Sequence, residues 1–161
     1  MTSERERRLT SVERRIEALE ARGAIESMHA DFVRRVADRR FADLVNFFTE
    51  DAMIDMRAHG PRTGRAAIAE HFRNMVEAPV DGATYLLSSP AIEVDGDSAS
   101  GQWSWHRLHR PATAPTGATG PTWEEGRYSC RYARVDDRWL FQTMRFRVVR
   151  PDPDPEGAQT P

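Results

Sequence analysis

EGRYSCRYARVDDRWLFQTMRFRV, residues 125–148, alternates apolar with polar side chains on both sides of the pair Asp136-Asp137. Successive side chains of a β-strand point to opposite faces, so this alternation is typical of a strand with one buried face. Two acidic residues between two such runs are typical of a tight turn. The stretch therefore predicts a hairpin of two antiparallel strands, over residues 123–135 and 139–149.

The pattern continues before this hairpin. Two more strands are predicted over residues 85–94 and 98–109, joined at Asp95-Gly96-Asp97. The segment PATAPTGATGP, residues 111–121, is too rich in Pro, Gly and Thr to be regular and predicts a loop.

The first half of the chain has helical periodicity instead. Helices are predicted over residues 24–39, 41–48 and 65–77. A single strand is predicted over residues 52–58, ending in the turn His59-Gly60-Pro61. Helices followed by an antiparallel meander predict an α+β fold, with the helices packed on one face of a curved sheet.

An amphipathic helix is predicted over residues 1–22. Its apolar positions alternate spacings of three and four and are Leu9, Val12, Ile16 and Leu19. Either Ser3 with Glu6 or Thr10 with Glu13 is able to form a capping box at its start, and Gly23 interrupts the pattern. The apolar seam is expected to be covered by other copies of the chain, as a homodimer or homotrimer, or by its own domain.

Composition limits the function classes. The length of 161 residues predicts one domain, over residues 23–150. The formal net charge of −2 gives no electrostatic reason to expect binding to nucleic acid. No apolar run reaches the roughly 20 residues of a membrane span. Cys130 is the single cysteine, so it cannot form an internal disulfide, and we predict a cytoplasmic location. The tail, residues 151–161, is predicted to be disordered.

Five segments occur in an order that resembles one family. They are LEARGAIESM (19–28), RRFADLVNFFTEDAMIDM (39–56), GRAAI (64–68), PAIEVDGDSASGQW (90–103) and EGRYSCRYARVDDRWLFQTMRFRV (125–148). Together they resemble the SnoaL-like branch of the nuclear transport factor 2-like superfamily. The resemblance implies a cone-shaped α+β barrel, in which N-terminal helices pack on a curved antiparallel sheet and enclose an apolar pocket. Members include polyketide cyclases, dehydratases and isomerases, and also non-catalytic proteins that only bind or assemble.

The resemblance further implies a Tyr, an Asp and a His that act in the dehydratase-like members. At the matching positions this chain has Phe32, Ala37 and Tyr85. Asp38 lies one residue from the Asp position, although one residue turns a helical side chain by about 100°. Tyr85 and Asp38 are therefore predicted catalytic residues. His71 is the third predicted catalytic residue, and it lies on the apolar stripe of the helix predicted over residues 65–77. An imidazole in this position either exchanges protons with a substrate or is a neutral histidine buried in the core.

Side chains predicted to face the cone interior form the expected substrate-binding set. They are His29, Phe32, Asp55, Trp103, Trp105, Glu124, Tyr128, Gln142 and Met144. This lining suits a flat, apolar ligand, and the alternative is an ordinary filled core. No metal site is predicted, because His106 and His109 are three residues apart on a strand and face opposite sides.

Two functions remain open from the sequence. The first is an enzyme without a cofactor that moves protons on a hydrophobic polyketide-, terpenoid- or steroid-like small molecule, as a cyclase, dehydratase or isomerase. The second is a non-catalytic binding or assembly domain of the same fold. They differ in whether titratable side chains face the pocket.

Overall fold

A computed structural model of the chain describes residues 3–56, 60–75, 84–109 and 122–150. Its helices are α1 (Glu4–Ala37), a 3₁₀ helix (Phe41–Phe47) and α2 (Arg65–Asn74). Its strands are β1 (Phe48–Met56), β2 (Pro61–Thr63), β3 (Thr84–Asp95), β4 (Ser98–His109), β5 (Thr122–Val135) and β6 (Arg138–Arg150). The predicted 111–121 loop, the 151–161 tail and His59 of the predicted turn lie outside the described residues, whereas Gly60 has positive φ and Pro61 begins β2.

The six strands form one sheet in the order β2-β1-β6-β5-β4-β3. Strands β3 to β6 are the antiparallel meander that the alternation predicts. The β5–β6 turn has positive φ at both Asp136 and Asp137, which is the backbone of a type I′ hairpin. The α+β cone is confirmed, with two corrections: β1 pairs in parallel with β6, so the sheet is mixed, and in the described part of the chain its edges do not close into a barrel.

Helix α1 is one continuous helix, and the predicted break at Gly23 is wrong. The helix begins with a capping box in which Ser3 Oγ accepts a hydrogen bond from the Glu6 amide, and the Glu6 carboxylate accepts one from the Ser3 amide. A glycine inside a helix costs about 1 kcal/mol relative to alanine, which is small against the packing of the flanking turns. The predicted 41–48 helix is also present, but as a 3₁₀ helix.

The core lies between the sheet and the helices. Its fully buried large side chains are Ile25, His29, Phe32, Leu44, Phe48, Ile54, Ile68, Phe72, Tyr132, Phe141 and Met144. They come from both helices, the 3₁₀ helix and three of the strands, so the helices and the sheet share a single core. Within the described ranges, no helix is long and apolar enough to cross a membrane.

Gly126 is expected to tolerate no side chain. A Cβ atom there would lie 2.7 Å from the Phe146 ring and 2.9 Å from the Arg147 carbonyl oxygen. The ring is packed against Trp105 and Tyr128, and the carbonyl belongs to β6, so neither is free to move away. We expect Gly126→Ala to lower the free energy of unfolding by about 1 to 3 kcal/mol, measured by urea denaturation.

Gly23→Ala is the matched control for this substitution. Nothing lies within 4 Å of a Cβ built at Gly23, and the residue is inside α1. The same methyl group should therefore raise the free energy of unfolding by about 0.5 to 1 kcal/mol. Equal effects at the two glycines would contradict the close approach of β5 to Phe146.

Candidate active site

The interior face of the sheet is set by strand alternation. On β4, Gly101, Trp103 and Trp105 are buried while Gln102 is exposed, as predicted. On β5 the buried positions are Gly126, Tyr128, Cys130 and Tyr132. The predicted phase therefore holds on both central strands, and these side chains face the helices.

The side chains of strand β6 switch faces in the middle of the strand, and this changes the face predicted for one residue. Arg131 pairs with Thr143 and Tyr132 pairs with Phe141, so Gln142 is the extra residue of a β-bulge. Phe141 and Met144 are fully buried, and Gln142 is exposed. The expectation that Gln142 lines the interior is therefore wrong, whereas Met144 lies in the core.

A buried cluster of His29, Trp103 and Tyr132 joins α1 to the sheet. The Trp103 indole N–H donates a hydrogen bond to the Tyr132 hydroxyl at 2.9 Å, and His29 Nδ1 lies 3.1 Å from the same oxygen. The indole only donates, and the Tyr132 hydroxyl also bonds the Cys130 thiol, so the direction of the His29–Tyr132 hydrogen bond depends on the imidazole tautomer. Among the described residues, His29 Nε2 has no hydrogen-bond partner.

The buried cluster is held in its neutral forms. Burial lowers the pKa of His29 to about 3 and raises the pKa of the neighbouring Cys130 thiol to about 12. Burial also raises the pKa of the Tyr132 hydroxyl above its ordinary value. The side chains of His29, Cys130 and Tyr132 are therefore all uncharged near neutral pH.

The aromatic rings around His29 fill this part of the cone. Its ring centroid lies 4.7 Å from that of Trp103, 5.1 Å from Tyr128 and 5.0 Å from Phe141. These are the separations of directly packed rings. Around His29 the interior is therefore a filled core, which was the alternative to a ligand pocket.

A second polar group, which we name the charged row, lies further along the same strands. Tyr85 pairs with Arg107 across β3 and β4, and Arg107 pairs with Glu124 across β4 and β5. Arg107 and Glu124 form an ion pair at 2.5 Å, and each side chain is only 19% exposed. The charged row follows Trp103 and Trp105 in phase, so it belongs to the interior face.

Aromatic side chains surround the charged row. The centre of the Trp105 ring lies 5.8 Å from that of Tyr85, 5.9 Å from the Arg107 guanidinium and 4.8 Å from the centre of the Phe146 ring. Such a combination of an apolar wall with a few polar groups is typical of small-molecule sites. The Arg107 guanidinium fixes the position of the Glu124 carboxylate, and a carboxylate is a common general base in enzymes.

The histidine that packs on Trp103 is His29 of α1, and the predicted position of His71 opposite the two tryptophans stays a prediction. Helix α2 packs on the 3₁₀ helix, β1 and β2, whereas α1 is the helix that brings a histidine onto Trp103. His71 is half-buried, with its ring 5.5 Å from that of Phe72. The role of His71 in catalysis stays a prediction.

Three other predicted residues lie away from the charged row. Asp38 is exposed at the end of α1. Asp55 is bound by Arg147, which lowers the pKa of the Asp55 carboxyl, so it does not reach the interior. Phe32 is fully buried among other core phenylalanines.

Arg107 is the functional candidate that the sequence analysis did not single out. The sequence did contain a pattern that indicates it, because Arg107 follows Trp103 and Trp105 at alternate positions of one strand. It lies opposite Glu124 once β4 and β5 pair. In residues 3–56, 60–75, 84–109 and 122–150, no group of three His, Cys, Asp or Glu side chains is placed to hold a metal ion.

An α+β cone of mixed sheet with an aromatic interior is the fold that the resemblance to the nuclear transport factor 2-like class implies. The chain belongs to the SnoaL-like domain family, whose model matches residues 17–145. The predicted resemblance is thereby confirmed.

Similar proteins are found in both sequence and structure. An uncharacterised protein of Mycobacterium tuberculosis is 34% identical over 76 residues, which are 47% of this chain and 52% of that protein. The chain thus matches about half the length of its curated relatives. A candidate scytalone dehydratase of Novosphingobium aromaticivorans superposes with a TM-score of 0.70 at 21% identity, covering 82% of this chain and 86% of that one. A hexachlorocyclohexane dehydrochlorinase of Novosphingobium barchaimii gives 0.70 at 19% identity, covering 83% and 90%. At these identities, the superpositions show a shared fold.

Proposed function

We propose that the chain is an enzyme that moves a proton on a hydrophobic small molecule bound at the charged row. The observation that carries this proposal is the Arg107–Glu124 ion pair, four-fifths buried on the interior face beside Trp105 and Tyr85. Taking two charges out of water is costly, and apolar residues of similar volume would often be as stable. Retaining a buried charge pair in an aromatic setting favours a functional role.

The residues of the charged row divide the chemistry between them. The Glu124 carboxylate accepts a proton from an acidic carbon of the substrate, and Arg107 orients the carboxylate. The Tyr85 hydroxyl is a hydrogen-bond donor for the oxygen on which negative charge develops. Trp105 and Phe146 supply the apolar contact that holds a flat ring. In an isomerisation of a polyketide-, terpenoid- or steroid-like compound, Glu124 then returns the proton to another carbon. In a dehydration it gives the proton to the departing hydroxide, which leaves as water, and in a cyclisation the carbanion attacks a carbonyl carbon of the same molecule, whose oxygen takes up the proton. None of these steps needs a cofactor.

Solvent exchange tests the proposal without knowledge of the natural substrate. A panel of polycyclic ketones is incubated with the protein in deuterium oxide, and deuterium uptake beside the carbonyl is followed by mass spectrometry. We expect Glu124→Gln to slow the enzyme-dependent exchange by about 100-fold or more, since it removes the proton acceptor. Ketone affinity, measured by quenching of tryptophan fluorescence, should change by only a few fold.

Glu125→Gln is the matched control. Glu125 is the next residue on β5, pairs with His106 and faces the other side of the sheet. The Glu125→Gln variant should catalyse deuterium exchange into the ketone at the wild-type rate. If Glu124→Gln and Glu125→Gln exchange equally fast, Glu124 is not the proton acceptor.

A non-catalytic binding domain is the second candidate, and one observation favours it. Phe32 and Ala37 occupy positions where the dehydratase-like members have Tyr and Asp, and Phe32 is fully buried in the core. The same experiment separates the two functions. Ketones that bind near Trp105 but exchange only at the background rate would support binding without catalysis.

A further inference from the structure

The first half of α1 presents an apolar stripe that its own domain leaves uncovered. The exposed fractions are 54% for Leu9, 49% for Val12, 50% for Ile16 and 66% for Leu19. The first fully buried residue of α1 is Ile25, on a different face of the helix. The helix therefore does not fold this stripe back onto its domain, and the stripe has the spacing of a coiled-coil seam.

The spacing assigns a unique heptad register. Leu9 and Ile16 take position a, and Val12 and Leu19 take position d, because the intervals run three, four, three. The register then places an acidic residue at every e position and a basic residue at every g position. The e residues are Glu6, Glu13 and Glu20, and the g residues are Arg8, Arg15 and Arg22.

This charge pattern selects the orientation of the partner. In a parallel coiled coil, each g residue faces the e residue of the next heptad in the other helix, so Arg meets Glu on both sides of the seam. In an antiparallel pair, g faces g and e faces e, so Arg meets Arg and Glu meets Glu. Like charges so placed are destabilising, and a second copy of this chain is complementary only in parallel.

The rest of the molecule leaves room for such a partner. A groove between α1 and the tips of the β3–β4 and β5–β6 hairpins is lined on the helix side by Arg14, Glu17, Ala18 and Ala21, and also by Glu20 and Ala24. The first four occupy positions f, b and c, which are opposite the seam. The seam faces away from the domain, and α1 beyond residue 24 is anchored in the core, so the helix is already formed before it associates.

We propose that α1 mediates a parallel, two-stranded dimer of this chain through Leu9, Val12, Ile16 and Leu19. Arg8 pairs with Glu13 of the partner subunit, and Arg15 pairs with Glu20 of the partner subunit. The second heptad, with Ile16 at a and Leu19 at d, has the combination that favours two strands, whereas Leu9 at a and Val12 at d have the reverse order. Arg22 donates a hydrogen bond to the Ile92 carbonyl at 2.9 Å, so the seam ends where α1 meets β3.

Charge reversal in the full-length chain tests the pairing. We expect wild type to have the mass of a dimer by light scattering at micromolar concentration. R8E/R15E, which makes both members of each proposed Arg–Glu pair acidic, should weaken dimerisation about tenfold or more, and so should E13R/E20R. An equimolar mixture of the two variants should recover the dimer mass as a heterodimer.

R7E/R14E is the matched control, since it makes the same charge change one residue earlier, at position f. It should dimerise like wild type. Circular dichroism of each variant separates lost association from lost folding. A monomeric wild type, a trimer mass, or equal weakening by R7E/R14E and R8E/R15E would overturn the proposal.

Disulfide trapping tests the orientation. Under mild oxidation, Leu9→Cys should link two copies, because a parallel seam in register places position 9 beside its own copy. Thr10→Cys, at position b, should not, and the native Cys130 is buried and gives no link. If Leu9→Cys links only to Leu19→Cys when the two variants are mixed, the dimer is antiparallel and the proposed pairing is wrong.

Discussion

Phe32→Ala is expected to lower the free energy of unfolding by about 3 to 5 kcal/mol, which is the range for truncating a fully buried phenylalanine. The Phe32 ring has no exposed surface and packs edge-on against four other phenylalanines, Phe47, Phe48, Phe72 and Phe141. These partners come from α2, β6 and the segment where the 3₁₀ helix joins β1. Removing the ring therefore leaves a cavity that no single element is able to close.

Chemical denaturation measures this loss, with Phe32→Leu as the control. Leucine keeps most of the buried volume, so its cost should stay below about 1.5 kcal/mol. The comparison also tests the sequence-based expectation that Phe32 contacts substrate. A loss below about 1 kcal/mol for Phe32→Ala, together with weaker ketone binding, would indicate that the ring lines a cavity for ligand rather than filling the core.

Acid is expected to destabilise the protein through His29. The histidine of the unfolded chain takes up a proton near its ordinary pKa of 6.5, whereas burial lowers the pKa in the folded protein to about 3. Between these values the unfolded state binds one more proton, so the free energy of unfolding falls as pH falls. The slope is about 1.4 kcal/mol per pH unit, which gives a loss of about 2 to 3 kcal/mol between pH 7 and pH 4.5.

His29→Gln isolates this contribution. The amide does not titrate and is still able to bond the Tyr132 hydroxyl, while Asp31 and Asp55, whose pKa values are lowered by arginines, titrate in both proteins. Urea denaturation from pH 7 to pH 4.5 should show a steep decline for wild type and a flatter one for His29→Gln. Parallel curves would mean that His29 is protonated in the folded protein, and the described contacts of a neutral His29 would be wrong.

The two histidines show how far local pattern predicts burial. Both His29 and His71 lie on apolar stripes, and from sequence the stripe of His71 was the more suggestive. Helix α1 crosses the strands that carry Trp103 and Tyr128, so it buries its histidine completely. Helix α2 covers β1 and β2, so it leaves its histidine half-buried. How deeply a histidine is buried depends on which strands its helix covers, and the periodicity of the sequence does not predict those strands.

The amino-acid sequence by itself determined the local features of this protein. Alternation predicted strands β3 to β6 and the inward faces of β4 and β5, and Asp136-Asp137 predicted the turn between β5 and β6, because side-chain direction and turn backbone depend on residues close in the chain. The capping box of α1 and the exposed seam are local in the same sense.

Only the tertiary structure decided the features that need two distant segments. It paired β1 with β6 in parallel, placed the bulge at Gln142, and set Arg107 against Glu124 on the neighbouring strand. Strand register is chosen by the packing of whole faces, so a single extra residue turns Gln142 outward without any local signal. The candidate site is a row across three strands, and it exists only once those strands have paired.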